Sequence, residues 1–167
     1  MKTFHTLVAF LSMALLMGSC QEKNQRLVPM AELKQQIHIA IDSIKTVENY
    51  ALFDKIVEQN ALSADLETQF ALADSCRTVG KIALAANTFE GFTTARSYFT
   101  KGVMLLNNTH SDSNQLRLIL LFNTGISYSK QHDYSNAIKV HNAVNQVISK
   151  YRLDTLKAYY KIGRAHV

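Results

Sequence analysis

Histidine, cysteine and serine side chains could give this chain catalytic or metal-binding chemistry. A metal site needs several such ligands at short recurring spacings, and a thiol nucleophile needs a histidine placed as its base. The four histidines between the chain ends share no ligand spacing with each other or with a pair of carboxylates, and none stands in a recognisable motif with Ser75 and Cys76. We therefore expect no enzyme, no metal and no cofactor; these histidines are His38, His110, His132 and His141.

Cys76 and two aspartates have structural interpretations. Cys76 falls at apolar helical spacing, which predicts a small buried side chain. Asp112 and Asp133 each precede a helical pattern, where an aspartate caps the helix. Three tyrosines near the end indicate packing between helices rather than a sugar-binding platform: Tyr151, Tyr159 and Tyr160.

Composition favours an all-α chain of one domain. The 167 residues are 47% hydrophobic, with one proline, six glycines and no tryptophan. No stretch shows the alternation of a strand. The formal net charge is +5, but basic and acidic residues are interspersed without a basic run, so the sequence gives no support to nucleic acid binding.

Apolar periodicity predicts a first helix, or helix pair, over residues 29–62. Pro29 suits a helix start, and an apolar stripe follows at steps of three and four residues. A second helix runs from Leu52 to about Asn60, or the two form one bent helix. The stripe comprises Leu33, Ile37, Ala40, Ile44, Val47 and Ala51.

Two helix–turn–helix units are predicted over residues 63–153. Ser63 is the expected cap of a helix that carries Leu66, Phe70, Ala73, Val79, Ile82 and Ala86 and ends near Asn87. Residues 88–91 break it, and the next helix spans 92–106. After a polar loop at 107–113, helices follow at 114–130 and 134–150, with Asp133 capping the latter. Asp154 opens a further helix over 154–161.

An offset of 42 residues superposes the two units, with Val79 on Leu121. This pattern resembles the tetratricopeptide repeat, in which a small residue and then an aromatic on the first helix face an aromatic and an alanine on the second. The resemblance implies a short α-solenoid of stacked antiparallel helix pairs. Gly125 would let the partner helix approach, so that Tyr128 and Ala137 pack over it. The residues implied to pack the repeats are Ala83, Ala86, Phe92, Ala95, Gly125, Tyr128, Tyr134 and Ala137.

The same resemblance implies a concave face that binds a protein or peptide. Asn123 and Lys130 on that face are similar to residues with which some members clamp a peptide carboxylate, although Lys81 stands where a second asparagine would help. The implied binding residues are Arg77, Leu84, Asn87, Phe122, Asn123, Ile126 and Lys130.

The first 19 residues predict an export signal, with Lys2, an apolar run and small residues before Cys20. Gly18-Ser19-Cys20 resembles the lipobox of bacterial lipoproteins, in which the cysteine is lipidated. An ordinary secretory signal cut near Gly18 is the alternative. Residues 20–28 are polar and suit a tether.

The last six residues, 162–167, are expected to be a sequencing-adapter scar, because they match one reading frame of a common adapter. The helical unit beginning at 154 is therefore expected to be truncated.

Three hypotheses for function follow. The first is a non-catalytic, lipid-anchored scaffold for protein partners in the periplasm or outer membrane of a Gram-negative bacterium. The second is the exported sensory segment of a larger signalling protein, such as a histidine kinase or transcriptional regulator. The third is a glycan-binding lipoprotein, which the lack of tryptophan disfavours.

Overall fold

The computed structural model describes residues 28–62, 65–106 and 112–151. Within them it contains six helices and no strand, which confirms the all-α prediction. The helices are α1 (Met30–Val47), α2 (Ala51–Asn60), α3 (Leu66–Ala85), α4 (Phe89–Leu105), α5 (Asp112–Lys130) and α6 (Tyr134–Tyr151). Several predictions lie outside the described residues: those on the signal and Cys20, the tether to residue 27, Ser63, His110, Asp154, Tyr159, Tyr160 and the tail 162–167.

The helix α1 buries most of its predicted stripe: Leu33, Ile37, Ala40 and Ile44. Val47 is 68% exposed, because the helix ends there and Glu48 adopts a left-handed conformation with φ of 53°. That conformation cannot continue a right-handed helix. The first segment is therefore two helices, and the alternative of one bent helix is wrong.

The starts of α3 and α4 differ from the prediction. Asp65 caps α3, because its Oδ2 accepts a hydrogen bond from the Thr68 backbone N–H at 2.8 Å. Thr88 caps α4 in the same way, accepting from the Gly91 N–H at 3.0 Å. Residues 88–91 thus begin a helix rather than break one. Aspartate and threonine favour the N-cap position, and this preference outweighs the glycine that suggested a break.

The turn between α5 and α6 confirms the predicted cap. The Asn136 N–H donates to Asp133 Oδ1 at 3.2 Å. His132, just before it, has a φ of 60°. The chain thereby reverses within three residues and lays α6 against α5.

The helices pack in chain order. The most extensive contacts join α3 to α4, α5 to α6 and α4 to α5. The first helices of successive pairs also touch, since α1 contacts α3 and α3 contacts α5. Contacts between neighbouring pairs are the arrangement of a solenoid.

Two apolar clusters hold this stack together. The larger cluster extends from α1 to α5, and its members Phe53, Phe99 and Leu120 have no exposed surface. The smaller one joins α5 to α6 through Leu118, Val144 and Ile148. The helix α6 therefore depends on α5 for burial of its apolar side.

Glycines sit at the closest approaches between paired helices, although the partners differ from the prediction. A Cβ atom at Gly125 would lie 2.6 Å from Cε1 of His141, so the group nearest to this glycine is the histidine ring rather than Tyr128 or Ala137. Gly80, which the sequence reading overlooked, faces Phe99 in α4, whose ring carbon would lie 2.4 Å from such a Cβ. An aromatic ring replaces the missing side chain in both pairs.

The second helix pair follows the first at a distance of 45 residues along the chain, so the predicted offset of 42 residues is wrong for the helices themselves. The caps Thr88 and Asp133 are 45 residues apart, and so are Gly80 and Gly125. Phe99 and His141, however, are 42 apart. The two helix pairs consequently differ by about one turn in the register between first and second helix.

Most of the predicted repeat-packing residues are buried: Ala83, Phe92, Ala95, Gly125 and Ala137. Tyr128 is half-buried. Ala86 and Tyr134 are exposed, which contradicts the prediction for both. Ala86 lies just beyond the last residue of α3, and Tyr134 is the first residue of α6, so each is at a helix end rather than between helices.

Candidate functional site

The first helices expose large apolar side chains on one side. On α3, Leu66 and Phe70 belong to the apolar pattern that predicted the helix, but they are 44% and 42% exposed. The buried side of α3 is set by Leu72, Cys76 and Val79, and the helical period turns Leu66 and Phe70 away from it. The same period aligns them with the predicted binding residues Arg77 and Leu84.

The helix α5 also exposes apolar side chains on one side. Ile119 is 37% exposed, and Phe122, Asn123 and Ile126 are half-buried. These residues and the exposed Lys130 recur at helical spacing on one side of α5. The ring of Phe122 lies with its centroid 6.1 Å from that of His141, which fixes it toward α6.

We call these two stripes together the α3–α5 face: Leu66, Phe70, Arg77 and Leu84 on α3, with Ile119, Phe122, Asn123, Ile126 and Lys130 on α5. The two helices are in contact. Six of these nine residues were predicted as binding residues from the sequence, and Leu66, Phe70 and Ile119 were not. The feature that could have identified these three residues is their spacing, which places them on the same side of the helix as Arg77 in α3 or Ile126 in α5.

The polar members of the predicted set have different roles. Arg77 Nε donates to Asp74 Oδ1 at 2.8 Å, so one donor of its guanidinium is engaged on its own helix. Asn87 lies after the end of α3 with φ of 53°, a conformation that asparagine tolerates. It is exposed but belongs to the helix terminus rather than to the face. Clamping of a carboxylate by Asn123 and Lys130 stays a prediction.

Asp54, Tyr98 and Lys101 form a polar cluster between α2 and α4. Asp54 Oδ1 accepts from Lys101 Nζ at 2.6 Å and from the Tyr98 hydroxyl at 3.0 Å. Burial and the neighbouring Asp54 raise the pKa of Tyr98, so the phenol stays a neutral donor. The cluster ties the two helices together, and its ion pair is complete without a ligand.

Cys76 is fully buried, as predicted. Burial raises the pKa of its thiol to about 12, whereas a nucleophile must be a thiolate. The side chain therefore acts as a small apolar group in the core.

The described histidines make local contacts. His38 Nε2 lies 3.3 Å from Asp42 on the exposed side of α1, and His132 Nδ1 lies 3.0 Å from the Tyr134 hydroxyl. His141 packs on Gly125. In the part of the chain that the structure describes, no three histidine, cysteine or acidic side chains are grouped as metal ligands would be.

A pocket of about 380 Å³ opens where α1 and α3 end and α4 begins. We call it the helix-end pocket. Its apolar wall is formed by Ile44, Ile82, Ala86 and Gly91, and its polar residues are Lys45, Glu48, Tyr50, Thr88, Glu90 and Thr94. The period of α3 places Ile82 and Ala86 on the side opposite Leu66 and Phe70. The pocket is thus separate from the α3–α5 face. It could not be predicted from the sequence, because three separate segments of the chain line it.

A second concavity lies along the outer side of α4, floored by Thr93, Ser97 and Thr100. Its cations are already engaged within the protein. Arg96 lies 4.4 Å above the Tyr128 ring and donates to Gln131, and Lys101 pairs with Asp54. The groove therefore offers less to a ligand than the helix-end pocket does.

Comparison of the chain with protein-family models, with curated proteins and with solved structures finds no match. Among the described helices, none combines the length and the apolar character needed to cross a membrane.

Proposed function

We propose that this protein is a non-catalytic scaffold that binds a protein partner through the α3–α5 face. The observation that carries the proposal is the exposure of Leu66, Phe70 and Ile119 on the first helices of a solenoid-like stack. Exposed apolar side chains that recur along one side of two touching helices are a kind of surface through which proteins bind partners. Arg77, Asn123 and Lys130 supply polar contacts around it, as expected at the rim of an interface.

We further propose that the scaffold is of the tetratricopeptide type and is held at a bacterial envelope membrane by a lipid on Cys20. The consecutive packing of helix pairs and the glycines at their closest approaches support the first part. The small residues before Cys20 support the second.

The binding proposal is tested by photo-crosslinking in living cells. A photoreactive amino acid at Phe70 or Ile119 is expected to give adducts with a discrete protein. The matched controls are Ile39 and Ile138, which are 53% and 59% exposed but lie on α1 and α6 outside the face. Equal adducts from all four positions, or none from Phe70 and Ile119, would refute the proposal.

The anchor is tested separately by fractionation. With its own signal, the protein is expected to partition into detergent, and Cys20→Ser is expected to move it to the soluble fraction. A soluble wild-type protein whose mature N-terminus is not Cys20 would exclude the lipid anchor.

A further inference from the structure

We draw no further inference here: the strongest candidate, the surface patch beside the helix-end pocket where the apolar side chains of Val47 and Phe89 are exposed, carries none, because nothing in the part of the chain that the structure describes shows what covers it.

Discussion

Replacing Gly80 by alanine should destabilise the protein more than the same change at Gly125. Both glycines are inside helices, where alanine alone would contribute about 1 kcal/mol of stability. The difference lies in what the new methyl group meets. At Gly80 it would lie 2.4–2.9 Å from three carbons of the Phe99 ring, which is fully buried.

The ring of Phe99 is fully buried, so it cannot turn outward into solvent. Overpacking of this kind costs typically about 1–3 kcal/mol, and the close contacts place it in the upper half of that range. Subtracting the helical gain, Gly80→Ala is expected to lose about 1–2 kcal/mol. At Gly125 the methyl meets the tip of His141, which is half-buried and can turn outward at a cost of about 0.5–1.5 kcal/mol. Gly125→Ala is therefore expected to be nearly neutral.

Urea unfolding of the two variants measures this difference directly. Phe99→Leu combined with Gly80→Ala is expected to cost less than the sum of the single changes, because the smaller side chain leaves room for the methyl group. A Gly80→Ala variant at least as stable as the wild type would refute the packing argument. A strong loss at Gly125 with none at Gly80 would do the same.

Three other predictions concern single side chains. His132 has φ of 60°, so His132→Gly is expected to stabilise the protein by about 0.5–1 kcal/mol in urea unfolding, and a loss would count against that conformation. The caps Asp65 and Asp133 have pKa values lowered from 3.8, mainly by hydrogen bonds from Thr68 and Asn136 respectively. The two ionised caps contribute their full stability above pH 3.8, and this contribution is lost as the pH falls below it. A variant with both aspartates changed to asparagine should therefore show a flatter dependence of unfolding free energy on pH in acid. An unchanged profile would exclude a stabilising role for the ionised caps. Cys76 is expected to react with a thiol reagent at pH 8 only on unfolding, and rapid labelling of the folded protein would contradict its burial.

The helices could be predicted from the sequence because their apolar periods are local. Leu33, Ile37, Ala40 and Ile44 mark α1 without reference to any other part of the chain. The first residues of the helices were harder to predict. Asp65 caps α3 although Ser63 nearby was also a suitable cap, and Thr88 caps α4 within a segment whose glycine suggested a break. A local apolar pattern thus identifies a helix more reliably than it identifies the residue at which the helix begins.

Contacts between helices were harder to predict. The pairing of Gly125 with His141 and of Gly80 with Phe99 depends on the register between helices, which a repeat offset estimates only to about one turn. Exposure of Leu66 and Phe70 was missed for a related reason. Their apolar character predicts burial, and only the phase of the buried residues on α3 shows that they face outward.

The central claim, that the α3–α5 face binds a protein, is tested most directly by hydrogen–deuterium exchange of the chain with and without the partner identified by crosslinking. The account predicts slower exchange on binding in the segments that bear Phe70 and Ile119, and unchanged exchange in those around Ile39 and Ile138. Protection confined to α1 or α6, with α3 and α5 unaffected, would contradict it.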